Sequence, residues 1–239
     1  MKLRQAEAPY LAFGKKRTEK LKSCPHIENQ IVIKVNIKKF IKMKNLLHIV
    51  SSARGNKSCS YGLSSAIVKK LRAKNEVGAV VEKNLTKEPP ALIDETLIEE
   101  FYKQPATIDQ NGNRLLNYSN TIFHEIKNAD IVVIGTPMHN FGVSAHLKAW
   151  IDQFIRIGKT YKYNDDWTRT GLLKGKKIYL AIASGGIYSK EDNENDFIES
   201  YIKAVFRTYA GITDINTYKV EGTAYPNFKE DYDKIIQDL

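Results

Sequence analysis

From residue 43 onward, short dense apolar runs alternate with longer stretches in which apolar residues recur every three or four positions. A run of about six apolar or β-branched residues between turn formers reads as a strand covered on both faces. The longer spacing reads as a helix with one buried stripe. The strands predicted this way are residues 45–50 (NLLHIV), 78–85 (GAVVEKNL), 130–136 (DIVVIGT), 177–184 (KIYLAIAS) and 214–220 (DINTYKV). Between them Leu63, Ile67 and Leu71 recur every fourth residue, and Leu115, Leu116, Ile122, Phe123 and Ile126 form a second stripe. Leu147, Trp150, Ile151, Phe154 and Ile155 form a third, and Ile198, Tyr201, Ile202, Val205 and Phe206 a fourth. These stripes are core faces, because each helix must bury one side against a sheet. Strands alternating with helices imply right-handed crossovers, hence an α/β fold with a doubly wound five-stranded parallel sheet and helices on both faces. The expected order is 2-1-3-4-5, with a ligand beyond the carboxyl ends of strands one and three. Residues 88–94 (EPPALID) and 164–171 (NDDWTRTG) read as polar excursions at the edge or top of the sheet.

A chain of 239 residues, 42% hydrophobic, can bury a good core and suits one such domain plus appendages. No apolar run approaches the roughly 18–20 residues that cross a bilayer, and the N-terminus lacks the compact apolar segment of a secretory signal. The expectation is a cytoplasmic protein with no membrane partner. The net charge of +10 changes that picture only locally, because residues 1–42 hold eleven Lys or Arg against three Glu and the remainder is nearly balanced. A nucleic-acid face would place its basic patch on the folded domain, interleaved with aromatics. Nucleic-acid binding is therefore an alternative for this leader alone, and no nucleic-acid partner is expected. Residues 1–42 read as a basic N-terminal extension, flexible or dispensable, ahead of a catalytic domain over 43–239. Cys24 and Cys59 have neither CxxC spacing nor histidine companions at metal-ligand spacing, so they read as reduced thiols, and no metal site is expected.

The candidate chemistry begins in SSARGNKSCS (51–60), directly behind the first strand. A loop between a first strand and a first helix gathers backbone N–H groups and the positive end of the helix dipole, a favourable place for an anion. Three familiar phosphate chemistries do not fit. A GxxxxGK[ST] loop fails because Asn56 stands between Gly55 and Lys57 and Ser51 occupies the place of the first glycine; GxGxxG is absent; and Ser65, not arginine, lies six residues after Cys59. What remains is a set of neutral donors, Ser52, Ser58 and Ser60 with the amides around Cys59, suited to a monophosphate ester that is held rather than cleaved. The plainer alternative is a serine-rich turn in which Ser60 caps the helix. After the third strand, Pro137, Met138, His139, Asn140 and Phe141 combine a fixed turn, backbone donors and flat apolar surface, as a planar heterocycle needs. Ser144 could cap the helix that follows, and His139, without a carboxylate or second ligand nearby, reads first as a packing residue. After the fourth strand, Gly185 and Gly186 in ASGGIYS allow close approach of the backbone to a ligand.

SSARGNKSCS, PMHNF, ASGGIYS and EGTAY, in this order and with GKTYKY (158–163) and GKK (175–177) between them, resemble the FMN-dependent NADH azoreductases. That family, also described as NADH:quinone reductases, belongs to the flavodoxin-like superfamily, and the likeness spans about residues 43–235. The resemblance implies that Ser52, Ser58, Cys59 and Ser60 hold the FMN phosphate, Cys59 chiefly through its amide. It implies further that Pro137 to Phe141 line the isoalloxazine with the Asn140 N–H facing N5, and that Ser184, Gly185 and Gly186 serve the pyrimidine edge. Asn140, Phe141 and Tyr163 would be the residues of the catalytic site, the two aromatics flanking the substrate space. Three positions depart from the pattern: Ala183 and Ser184 stand where some members have Ser-Arg, and His139 where some have Tyr. The turn from Asp165 to Thr170 is also altered, which bears on substrate preference.

The resemblance also implies a homodimer with both active sites at the subunit interface. NADH or NADPH and the acceptor, a quinone or an azo or nitro aromatic, would use one pocket in turn in a ping-pong cycle. The competing reading from another class is a flavodoxin-like electron carrier or flavin-bound sensor with no NADH reaction of its own. Carriers tend to be acidic and leave the dimethylbenzene edge of the flavin open, whereas residues 43–239 are near neutral and carry the PMHNF segment.

Overall fold

The computed structural model describes residues 43–189 and 195–239. The basic extension and Cys24 lie outside the described residues. In chain order the elements are β1 (Lys44–Val50), α1 (Cys59–Ala73), β2 (Val77–Asn84), α2 (Glu95–Tyr102), α3 (Gln110–Leu115), α4 (Asn117–Asn128), β3 (Ile131–Pro137) and α5 (Ala145–Phe154). They continue with β4 (Tyr161–Tyr163), β5 (Arg169–Gly171), β6 (Lys177–Ala183), α6 (Phe197–Val205), a π-helical turn (Phe206–Ala210), β7 (Asp214–Val220) and α7 (Tyr232–Ile235). β1, β2, β3, β6 and β7 form one parallel sheet in the order β2-β1-β3-β6-β7. The numbering differs from 2-1-3-4-5 because residues 164–171, read as a polar excursion, instead close an antiparallel hairpin of β4 and β5.

Alternation within each strand divides the core into two layers. Leu47, Ile49, Val132, Ile134, Ile178 and Leu180 face Ile122 and Ile126 of α4, Leu147, Trp150 and Phe154 of α5, and Ile198 and Ile202 of α6. On the opposite face Leu46, Val133, Tyr179 and Ala181 meet Leu63, Ile67 and Leu71 of α1. Trp150, Phe154 and Phe206 stack in series, with ring centroids 5.8 and 5.7 Å apart. Each fully buried side chain of this size contributes roughly 1.5–3 kcal/mol relative to exposure. The stripe from Leu115 to Ile126 is two helices rather than one, breaking at Leu116, which ends α3 and precedes α4. Asp94, Asp109, Ser144 and Asp196 each accept a first-turn N–H as N-caps of α2, α3, α5 and α6. Such a cap contributes about 1 kcal/mol. Among the described residues no helix is long and apolar enough to cross a membrane.

One contact fixes where α1 begins. A Cβ on Gly135 would come within 2.6 Å of Ser64 Oγ and 3.0 Å of the Ser60 carbonyl. Only glycine lets α1 lie this close to β3, and the closeness brings the start of the helix to the point where the strand order reverses.

Candidate active site

β1 hands over to the serine-rich loop through Ser51, whose N–H and Oγ both donate to the Gly135 carbonyl at 3.1 Å. Ser52 Oγ accepts from the Arg54 N–H (3.3 Å). After a single 3-10 turn at Gly55–Lys57 the backbone extends at Ser58 (φ −89°, ψ 119°) and α1 starts. Ser58 is the N-cap, in place of the Ser60 that the sequence suggests. Its Oγ accepts from the Tyr61 N–H at 3.2 Å and lies 3.0 Å from Ser60 Oγ. Ser52, Ser58 and Ser60 are all at least 95% buried, and the first turn of α1 carries no acidic side chain. The result is a cluster of hydroxyls and helix-terminal N–H groups with no negative charge of its own.

Cys59 sits in the same turn. Burial, and next the hydrogen bond and charge of Glu230, push its thiol above the ordinary value. Sγ donates to Glu230 Oε1 at 3.5 Å. Held as a neutral thiol, Cys59 is a poor nucleophile.

The second loop leaves β3 at Pro137. The Met138 N–H donates to the Ala183 carbonyl (2.7 Å), and His139 and Gly142 exchange backbone hydrogen bonds of 2.9 and 3.0 Å. The turn between them places Asn140 at φ 49° and Phe141 at φ 67°. Two successive non-glycine residues in the left-handed region cost on the order of 1–2 kcal/mol each. Neither backbone N–H has an acceptor among the described residues. Phe141, 43% exposed, meets Tyr188 edge-on at 6.1 Å.

The third loop is braced by the segment after β7. Ser184 Oγ donates to the Gly186 carbonyl (2.9 Å), while Thr223 and Ala224 donate their N–H groups to the carbonyls of Ser184 and Gly185 at 3.1 and 3.2 Å. The EGTAY motif thus acts as the outer wall of the ASGG turn.

Together the three loops enclose a cavity of about 250 Å³ at the carboxyl ends of β1, β3 and β6. Ser52, Ser58, Cys59, Ser60, Pro137, Met138, His139 and Gly185 line it. Asn140, Phe141, Ser184 and Gly186 belong to the same two turns but are not in its wall. Tyr163 is elsewhere: it lies on β4 in an aromatic group with Tyr161 and Trp167. Arg54, Ala183, Thr223 and Ala224 complete the lining; Ala183 is one of the departures marked in the sequence, and the other three lie in segments that the sequence marks without naming them. Arg54 brings the wall a permanent positive charge beside the serine cluster, and its adjacency to the glycine turn was the available signal.

A parallel sheet whose strand order reverses between β1 and β3, with three loops meeting around a cavity at that point, defines an α/β protein of the doubly wound class. A family model described as a flavodoxin-like fold matches residues 44–239. The FMN-dependent NADH:quinone oxidoreductase of Herminiimonas arsenicoxydans is 36% identical over 183 residues, covering 76% of this chain and 89% of its own. That of Gluconobacter oxydans (strain 621H) is 37% identical over 195 residues, covering 81% and 95%. Among solved structures, an azoreductase from Bacillus anthracis str. Sterne superposes with a TM-score of 0.71 at 26% identity, covering 82% of this chain and 94% of that one. An FMN-dependent NADH-azoreductase from Bacillus anthracis str. Ames Ancestor, solved in complex with FMN, gives 0.67 at 25% identity, covering 82% and 93%. The chain belongs to the FMN-dependent NADH:quinone oxidoreductase and azoreductase family of the flavodoxin-like fold.

Proposed function

We propose that the chain is an FMN-dependent oxidoreductase that moves electron pairs from NADH or NADPH to quinones and to azo or nitro aromatics. The observation that carries this reading is the meeting of three loops, from distant parts of the sequence, around one cavity at the sheet's switch point. The residues suit FMN on three counts. Buried serine hydroxyls and the open start of α1 offer neutral donors to a phosphate, with Arg54 beside them. Among the described residues the left-handed turn at Asn140 and Phe141 leaves two N–H groups without acceptors, as a heterocycle edge requires. The loop at Gly185 and Gly186 is braced by the backbone of residues 223–224 and by the Ser184 and Thr223 hydroxyls.

In this reading Ser52, Ser58, Ser60 and the Cys59 amide hold the phosphate, Pro137 to Phe141 lie along the ring with the Asn140 N–H toward N5, and Ser184 to Gly186 meet its pyrimidine edge. Bound FMN supplies hydride acceptance from the nicotinamide and two-electron delivery to the acceptor, in a ping-pong sequence through one pocket. The chain's own part is orientation and electrostatics: fixed main-chain dipoles aimed where negative charge develops, and Phe141 with Tyr163 bounding the acceptor space. No side chain is needed as nucleophile or base, in keeping with the neutral Cys59 thiol. The reading includes a cytoplasmic homodimer with its two active sites at the subunit interface, and a basic extension (1–42) that FMN binding does not need.

The test is an absorbance spectrum of purified protein with and without added FMN, followed by steady-state NADH oxidation with benzoquinone. The expected result is a retained flavin spectrum and acceptor-dependent turnover. Protein that stays colourless after incubation with FMN excludes the reading, and flavin binding without NADH oxidation favours an electron carrier.

A further inference from the structure

The left-handed turn at Asn140 and Phe141 is strained, and strain of this kind persists only where the surroundings hold it. Among the described residues two hydrogen-bonded ties do so. One is internal, the pair of backbone bonds between His139 and Gly142. The other comes from a distant element: the N–H of Phe197, the first residue of α6, donates to the Phe141 carbonyl across 3.4 Å. A first-turn N–H has no acceptor within its own helix, so this one is available to the turn. Where α6 starts therefore decides where the Phe141 carbonyl is held.

A lysine on β7 fixes that start. Ile215, on the same face of the strand, packs into the core layer that contains Ile198 and Ile202, so Lys219 emerges toward α6. Its Nζ lies 2.9 Å from Asp196 Oδ2 and 2.9 Å from Glu199 Oε2. Asp196 is the N-cap of α6, its Oδ1 accepting from the Ile198 N–H at 3.1 Å, so one carboxylate both caps the helix and holds the lysine. The Asp196 side chain is only 10% exposed and that of Lys219 27%, which screens this pair less than an open surface pair. Burial works against ionisation of Glu199, yet hydrogen bonds from Lys203 and Lys219 pull its pKa down to about 2 and keep it charged. Lys219 is also next to an anchor of the third loop, since Val220 accepts the Ser184 N–H at 3.0 Å. The end of β7 thus reaches two of the three loops, although Lys219 is not in the cavity wall.

We propose that Lys219 is a positioning residue, which through Asp196 and the Phe197 N–H sets the backbone of the turn at Asn140 and Phe141. Its effect on turnover rests on the proposed oxidoreductase activity, in which the Asn140 N–H faces the flavin; the tie itself does not. The consequence for rate is steep, because a misplacement of about 1 Å in a group that orients the reactants can cost roughly a hundredfold.

The experiment compares backbone amide resonances of the full-length protein with those of three variants. Lys219→Met keeps the aliphatic stem and removes the shared cation, Lys219→Arg keeps the cation, and Lys203→Met removes a cation from Glu199 without touching Asp196. Lys219→Met should move or broaden the amide signals of Asn140, Phe141, Gly142 and Phe197 and leave those of Val133 and Ile151 in place. Lys219→Arg should restore the wild-type signals, and Lys203→Met should leave the turn unmoved. In the same proteins with FMN, kcat for NADH oxidation with benzoquinone should fall roughly tenfold in Lys219→Met and recover in Lys219→Arg. An ion pair that serves stability alone would not move the turn signals. Unmoved turn signals in Lys219→Met, an equal change in Lys203→Met, a change shared by Val133 and Ile151, or an unaltered kcat overturns the proposal. Signals that move as described in a protein whose wild type neither takes up FMN nor oxidises NADH would reject the oxidoreductase reading and leave the tie standing.

Discussion

At the residue scale, the phosphate-type loop is spanned by a single buried imidazole. His48 on β1 places Nε2 2.8 Å from Ser64 Oγ on α1 and Nδ1 3.2 Å from Glu82 Oε2 on β2, with its ring stacked 6.0 Å from Tyr61. It thereby ties the strand before residues 51–60 to the helix after them. Burial lowers its pKa below 6.5, and the nearby Glu82 charge offsets only part of that effect. Because the unfolded chain then takes up the proton more readily than the folded one, the contribution is fully present above the unfolded value and is lost as pH falls below it. The urea midpoint of unfolding should drop between about pH 7.5 and about pH 5.5, and His48→Gln should reduce that drop while lowering stability at the upper pH. An identical pH dependence in the variant would remove His48 as its source. Little of this is legible in NLLHIV, where the histidine reads only as one position of a strand and both partners are remote in sequence. The cap is similar: serines at 58 and 60 look alike in sequence, and only the extended backbone at Ser58 selects it. The turn at Asn140 is hidden for the opposite reason, since left-handed backbone is usually announced by glycine and here falls on Asn and Phe.

At the scale of elements, the long stripes were readable and the short pieces were not. α5 buries Leu147, Trp150, Ile151 and Phe154, the residues whose spacing marked it. By contrast β4 and β5 have three residues each, too few for alternation to register, and one of them is the polar Arg169–Gly171. α2 and α3 escaped notice although Asp94 and Asp109 cap them, because a capping aspartate without a long apolar repeat behind it is a weak start signal. What holds the hairpin is the backbone crossing at Gly171 and Gly211, reinforced by the Leu173 N–H donating to the Ala210 carbonyl at 2.8 Å. Gly171→Ala would put a methyl group 2.0 Å from one backbone nitrogen and 2.3 Å from a carbonyl carbon, with no flexible side chain to yield. We expect a loss of about 3 kcal/mol, the upper part of the usual range for overpacking. At roughly 2–4 °C per kcal/mol this lowers the melting temperature by about 6–12 °C. Differential scanning calorimetry checks it, and a melting temperature unchanged from wild type would mean that the hairpin is not anchored there.

At the scale of the whole molecule, the parallel sheet was legible because its rules are global. Crossovers of one hand, strands covered on both faces and a ligand at the strand-order reversal constrain each other, so five apolar runs suffice to propose the architecture. The same geometry makes the site a stability element. The three loops meeting at the cavity follow β1, β3 and β6, neighbours in the sheet, so a ligand that joins them opposes separation of those strands. Any such ligand raises apparent stability by mass action, by about 2.7 kcal/mol at a hundredfold excess over its dissociation constant. FMN and riboflavin share the ring and differ in the phosphate, so comparing them isolates the serine loop from the other two. With FMN in such excess the melting temperature should rise by roughly 5–10 °C, whereas riboflavin at the same concentration should give a clearly smaller rise. Substituting Ser58 by Ala should bring the FMN shift toward the riboflavin value and leave the riboflavin shift nearly unchanged. Equal shifts from the two flavins in wild-type protein would detach the phosphate from residues 51–60, and the start of α1 would then be a helix cap and nothing more.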